Sequence, residues 1–350
     1  MIIQESMVYK KPATIAKIEA AIKKFKDKYD ETKVNTLDGL QRLDNDSKFK
    51  NQYRKDIRAL GKVIINNIEK EFNLQIHFKF QYSPTVNMWT TFQIMDTNKV
   101  NIDNFDSIVK TSKDGRIKFT KLGIMKSDIT FTAGMVNNKI FSAKEITAAL
   151  LHEVGHIFAY PFIKLAYSIK ALETFVDIES IQDAKEKYNA RNEFIKFLTR
   201  FYGQYKLSDS IIDDFNKEHE KFADHFSAHY GYADELSGAL INIDKAVGNI
   251  KKKDEKSSEF HKLFRDIGNL ILYGLFHNTR YPDLEERITY TTKELRKEIM
   301  ENDKLSDKDK KALQAKLNRI DDKMNKLYGK KSGDSYYCLL YTSDAADDRI

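Results

Sequence analysis

From Ala13 to Lys33, and again from Leu37 to Phe72, apolar residues recur every three or four positions among lysines and acids; Ile57, Leu60, Ile64, Ile65 and Ile68 form one such stripe. That period lines one helical face, so both stretches are predicted to be amphipathic helices. At Leu74 the period changes. LQIHFKF, TVNMWTTFQIM, DSIVK, RIKFTK and DITFTAG alternate and are rich in β-branched and aromatic residues, with Asp114-Gly115 as a turn. They predict a small, largely antiparallel sheet. At Ser142 the helical period returns, and Ser142-Ala143-Lys144-Glu145 has the form of a capping box that fixes a helix start. Pro161 is expected to limit that helix. The remainder reads as helical: Ser208 or Asp209 is a candidate cap for a helix running to Gly231, followed by ADELSGALINIDKAV, EFHKLFRDIGNLILYGLF and a charged pair between Leu284 and Leu327. The run Lys251 to Lys256 reads as a solvated linker, and the last two helices as a hairpin that props a surface or meets a partner.

The length of 350 residues exceeds the usual size of one domain, and a composition 41% hydrophobic with four prolines is that of a folded, largely helical chain. The formal charge of +7 is spread among interspersed signs, and no arginine-rich stripe or aromatic-basic repeat marks a nucleic-acid surface. No membrane span is expected, because the most apolar stretch, Ala148 to Tyr167, is interrupted by His152, Glu153, His156 and Lys164. The start MIIQESMVYKK lacks the pattern of a secretory signal, so a cytoplasmic location is expected. Cys338 is the single cysteine, which excludes an intramolecular disulfide and a multi-thiolate zinc site. The terminal run CLLYTSDAADD looks like a translated sequencing adaptor, and residues from Cys338 onward are set aside from fold reasoning. Lysine, asparagine and isoleucine richness fits an AT-rich microbial or viral genome.

The chemistry lies at LLHEVGHIF. On a helix, His152 and His156 are one turn apart on one face, so both imidazoles can bind one tetrahedral ion while Glu153 points beside it. A bound zinc, one per chain, would lower the pKa of its water and polarise a scissile carbonyl. Glu153 would take the water's proton and pass it to the leaving amine. Chance alone places a bare H-E-x-x-H in about one such chain in a hundred, so context matters. Here the motif sits on a capped helix after a strand, Gly155 avoids crowding on the metal side, and Ile146, Leu150 and Ile157 give the helix a buried face.

A third ligand is needed, and EHEKFADHFSAHYG offers Glu218, His219, Glu220, Asp224, His225 and His229. Glu220 and Asp224 are i and i+4, so if Glu220 ligates, Asp224 can reach a ligand imidazole and hold its tautomer. His225 and His229 share the same spacing and could form a second metal site. His77 and His261 carry no assigned role.

HEVGH followed by E-K-F-A-D-H-F-S-A-x-x-G resembles the peptidase family of the HtpX heat-shock protease and the CAAX prenyl protease, gluzincins with a Glu-x-x-x-Asp motif. The resemblance implies Glu220 as third ligand and Asp224 as its support. Tyr281-Pro-Asp-Leu-Glu-Glu-Arg-Ile288 is similar to the family's His-Pro-x-x-x-x-Arg-Ile segment, which implies that Tyr281 and Arg287 lie by the active site. Tyr281 stands where the family has histidine, so any oxyanion stabilisation there would come from a phenol, with His277 as a rival. The family's membrane helices are missing, the resemblance covers about residues 130 to 290, and the membrane-protein substrate class is not carried over.

The strand DITFTAG is expected to serve as an edge strand that aligns an extended peptide across the metal. The fold expected is α+β and zincin-like, with a small mixed, mostly antiparallel sheet, metal-binding helices and helical N- and C-terminal extensions. Its regions are a helical region 1–72, a metallopeptidase domain 73–290, a charged helical extension 291–333 and the adaptor-like tail 338–350. The expected function is zinc-dependent hydrolysis of a polypeptide. The alternatives are a non-enzymatic structural or nucleic-acid-associated protein on a zincin scaffold, and a zinc hydrolase of non-peptide amides.

Overall fold

The computed structural model describes residues 11–29, 34, 36–94, 109–112, 114–120, 125–192, 209–254, 284–302 and 305–328. In α1 (Ala13–Tyr29), Ile15, Ile18, Ile22, Phe25 and Tyr29 fall on one buried face. The second predicted stretch is two helices, α2 (Leu37–Asn45) and α3 (Ser47–Phe72). The break is at Asp46, whose side chain accepts from the Phe49 amide at 2.9 Å and so caps α3. Tyr53, Ile57, Leu60, Ile64, Ile68 and Phe72 make the buried face of α3, which packs on α1.

Five strands follow: β1 (Gln75–Gln81), β2 (Met88–Ile94), β3 (Val109–Thr111), β4 (Ile117–Phe119) and β5 (Met125–Thr132). Three form a mixed sheet in the order β1-β5-β2, with β1 parallel to β5 and β2 antiparallel to it. β3 and β4 form a separate two-stranded hairpin around Gly115, whose φ of 81° suits a residue without a side chain.

The sheet is mixed and its pairings mostly antiparallel, as expected, while the place of DITFTAG differs from the expectation. The parallel β1–β5 pair arises because the chain between them forms other strands before returning, and alternation fixes a strand's faces without fixing its partner. Asp128 to Thr132 of DITFTAG lie in β5, which is central rather than at an edge, so both its edges are already paired. Among the described strands, the edge strand that packs against the helix carrying His152 and His156 is β2.

After the short α4 (Ala133–Val136) comes α5 (Ala143–Ser180), opened by a reciprocal capping box: Ser142 donates its amide to the Glu145 carboxylate at 2.7 Å, and the Glu145 amide donates to Ser142 Oγ at 3.2 Å. Pro161 does not end α5, which continues through it to Ser180. A proline inside a helix forfeits one amide donor, at a cost of about 3 kcal/mol, and the ladder can resume on either side. A further helix, α6, covers residues 184–192. Then come α7 (Asp209–His229), α8 (Ala233–Asp254), α9 (Leu284–Glu301) and α10 (Asp307–Tyr328). The lysine run from Lys251 therefore begins inside α8 rather than in a linker, since lysine is a good helix former.

The main core joins α1, α3, the sheet, α5 and α7. Beneath the end of the H-E-x-x-H segment an aromatic stack links four elements: Phe158 lies 4.3 Å from Phe119, 5.2 Å from Phe226 and 5.8 Å from Phe72, centroid to centroid. A second, smaller core of Ile241, Ile288, Leu295, Leu313, Ile320 and Met324 seats the α9–α10 hairpin on α8. The described helices α1 and α3 thus share a core with the sheet, α5 and α7, and α9 spans residue 290. The protein is α+β and mostly helical, and among the described residues no helix is long and apolar enough to cross a membrane.

Candidate metal centre

Helices α5 and α7 make the most extensive helix–helix contact in the fold, and Gly155 permits it. A Cβ on Gly155 would sit 2.8 Å from Ala223 Cα and 2.9 Å from Phe226 Cβ, so the two backbones touch there. Ser227 donates to the Ala148 carbonyl at 3.0 Å and fastens the same interface one level away.

That approach brings His152 and His156 of α5 against Glu220 of α7, all three buried. Both imidazole Nε2 atoms lie 3.4 Å from a Glu220 carboxylate oxygen, one on each oxygen. This is too long for a well-formed hydrogen bond. Two ligand atoms each about 2.1 Å from a shared cation in a tetrahedral array stand about 3.4 Å apart, and here each imidazole faces a different oxygen of Glu220. Among the described residues these three form the one group of possible ligands whose donor atoms all fall within 4.8 Å of one another. The donor set, two imidazoles and one carboxylate, suits a divalent cation with an open position.

Around this set the charges are arranged in layers. His152 Nδ1 lies 2.8 Å from Asp224 Oδ1; the ring N–H is not aligned on that oxygen, and the pair is an ion contact more than a formed hydrogen bond. Arg287 of α9 donates to both Asp224 oxygens, through Nε at 2.9 Å and a terminal nitrogen at 2.7 Å, and the same terminal nitrogen reaches Glu220 at 3.0 Å. Burial works against the Glu220 and Asp224 anions, yet Arg287 and the neighbouring imidazoles outweigh it and hold both carboxyls below their usual range. Burial also works against charge on His152, but Asp224 and Glu220 reverse that and push its pKa up to about 10.

Glu153 is buried on the same turn as the ligands. Its burial raises its pKa, offset in part by the two imidazoles and by the Thr90 main-chain amide of β2. A carboxyl so placed is poised to exchange a proton rather than to stay a fixed anion.

The structure thus brings together His152, Glu153, His156, Glu220, Asp224 and Arg287. Tyr281, His277 and His261 lie outside the described residues. Among the described residues His225 and His229 join no ligand cluster: His229 Nε2 contacts the Gly115 carbonyl at 2.6 Å, and burial lowers the pKa of His225 to about 4. His77 is exposed on β1, 3.4 Å from Asp128. One neighbour of the site escaped sequence reasoning: Thr90, whose placement depends on strand order. His219 stood among the candidate third ligands, but its packing against His156 was not legible.

No protein-family model matches the chain, and neither the curated proteins nor the solved structures give a match. The reading of the site rests on its own geometry.

Proposed function

We propose that the protein is a zinc-dependent peptide hydrolase of the gluzincin type, on a zincin-like scaffold. The observation that carries this reading is the convergence of His152, His156 and Glu220 donor atoms within 4.8 Å of one another, each imidazole 3.4 Å from a Glu220 oxygen, with Glu153 buried on the same helical turn. A cation held there would supply Lewis acidity and a water of lowered pKa. Glu153, with its pKa raised by burial, accepts the proton of the attacking water and returns it to the leaving nitrogen. Asp224 and Arg287 orient His152 and Glu220 from behind.

The outer edge of β2, unpaired among the described residues, is the natural place for an extended peptide. β2 is the strand that packs on α5, and its Thr90 amide reaches Glu153, so a chain laid along that edge would pass the site with its carbonyls near the ligands. Arg287 stands where the resemblance to the HtpX and CAAX proteases implies an active-site arginine, which adds to the peptidase reading.

The test is hydrolysis of a panel of unstructured polypeptides and of small non-peptide amides by the zinc-loaded protein, with Glu153→Gln beside it. The reading expects peptide cleavage that falls by about 10²–10⁴-fold in Glu153→Gln while bound zinc is unchanged. Equal cleavage by both proteins would remove Glu153 from the chemistry. Turnover of amides alone would replace peptides as the substrate.

A further inference from the structure

The two imidazoles of the site are held by different means. His152 has the Asp224 carboxylate against its Nδ1. His156 Nδ1 is buried and meets no hydrogen-bond partner among the described residues. A metal-ligating imidazole usually has its second nitrogen fixed by a carboxylate, a carbonyl or water, which sets the ring's angle. For His156 that role falls to another contact. The His219 ring packs on the His156 ring with centroids 4.4 Å apart and planes at 51°, and His219 Nε2 donates to the main-chain carbonyl of His156 at 3.1 Å.

The position of His219 in the chain gives the contact its consequence. It precedes Glu220 on α7, so a single side chain touches the ring and the backbone of one ligand while its own backbone leads into another. The His156 carbonyl lies within α5, where one lone pair serves the helical ladder; its second lone pair is the one open to a partner on a facing helix. His219 uses it. The imidazole is thus both a spacer between the helices and a wall against one face of the His156 ring.

We propose that His219 is a positioning residue of the metal centre: it fixes the His156 ring and the separation of α5 from α7 so that His156 Nε2 and the Glu220 carboxylate meet at one cation. This rests on the metal-centre reading above. His219 is not itself a ligand, since among the described residues the converging donor atoms belong to His152, His156 and Glu220.

The experiment titrates cobalt(II) into the metal-stripped full chain for the wild type, His219→Ala and His219→Gln. It reads the visible ligand-field bands and the dissociation constant by competition with a chelator. Glutamine keeps a side-chain N–H at the reach of Nε2 and fills much of the same volume, while alanine removes both. Far-ultraviolet circular dichroism confirms that each variant is folded. The proposal expects His219→Ala to bind cobalt about 10- to 100-fold more weakly, with altered band positions, and His219→Gln to recover most of the affinity and the wild-type bands. Wild-type affinity and spectrum in His219→Ala would overturn the positioning role and leave the metal centre standing. A glutamine variant as weak as the alanine one would overturn it as well, because the hydrogen bond would then not be the cause. A wild type that takes up no cobalt would remove the metal centre itself, and this proposal with it.

Discussion

His152 and His156 on α5, and His225 and His229 on α7, are two histidine pairs with the same four-residue spacing. On α5 the rings stand 4.5 Å apart at 82°, and both Nε2 atoms face one carboxylate from the opposing helix. On α7 the rings lie 6.5 Å apart and nearly parallel, at 16°. His229 there ties the end of the helix to the β3–β4 hairpin through the Gly115 carbonyl, next to Tyr230, whose hydroxyl accepts from the Ile117 amide at 3.0 Å. Spacing proposes a metal pair, but the facing element decides it. A carboxylate opposite makes a candidate centre, whereas a backbone carbonyl opposite makes a packing contact.

Arg287 is the sharpest way to strain this difference, because the carboxylates that distinguish the α5 pair depend on it. Arg287→Ala leaves Glu220 and Asp224 buried beside each other without their guanidinium. Removing one partner of a buried ion pair typically costs about 3–5 kcal/mol. Urea unfolding of the metal-stripped variant should show a loss of this order, and added zinc should recover part of it by supplying positive charge. Unchanged stability would mean that Arg287 does not hold the carboxylates.

Gly155 tests the helix contact beneath the pair. Gly155→Ala places a methyl within 3 Å of Ala223 and Phe226 and must push α7 away from α5. Overpacking of this kind costs about 1–3 kcal/mol. It should also weaken zinc binding, because Glu220 rides on α7 while the imidazoles ride on α5. An alanine variant that gains stability from its helix propensity and keeps full zinc affinity would show that the helices are not locked at this point.

The effect smallest per step, about 1.4 kcal/mol for each pH unit, is a pH dependence. With its pKa pushed up to about 10, His152 is protonated near neutral pH in the metal-stripped protein, and a cation must displace that proton. Zinc affinity should therefore rise with pH, by about tenfold per unit for one proton released, and flatten near pH 10. The sign follows from the raised pKa: the proton competes below it and is already gone above it. Calorimetry in buffers of different ionisation enthalpy would count the protons. Affinity that is flat from pH 7 to 9 would contradict a charged His152.

Much of this was legible in local pattern. The stripes of α1 and α3, the Ser142–Glu145 box and the His152–Glu153–His156 turn depend on residues within a few positions of one another. The Glu220–Asp224 pair was legible for the same reason, although its partner helix was not. What escaped was non-local. The β1–β5 register and the central place of β5 depend on which strands meet, which alternation does not encode. The passage of α5 through Pro161 escaped because a proline signal is local while a helix is held by its packing along the whole length. The contact of His219 with His156 escaped for a similar reason, since it exists only once α7 lies on α5.

The most direct test of the central claim is the metal content of the purified protein, by elemental analysis, for the wild type, His156→Ala, Glu220→Ala and the double variant His225→Ala/His229→Ala under identical conditions. The account predicts about one zinc per chain in the wild type and in the double variant, and loss of that zinc in the other two. Zinc retained after Glu220→Ala, or a folded wild type that holds no metal even with zinc added, would contradict it.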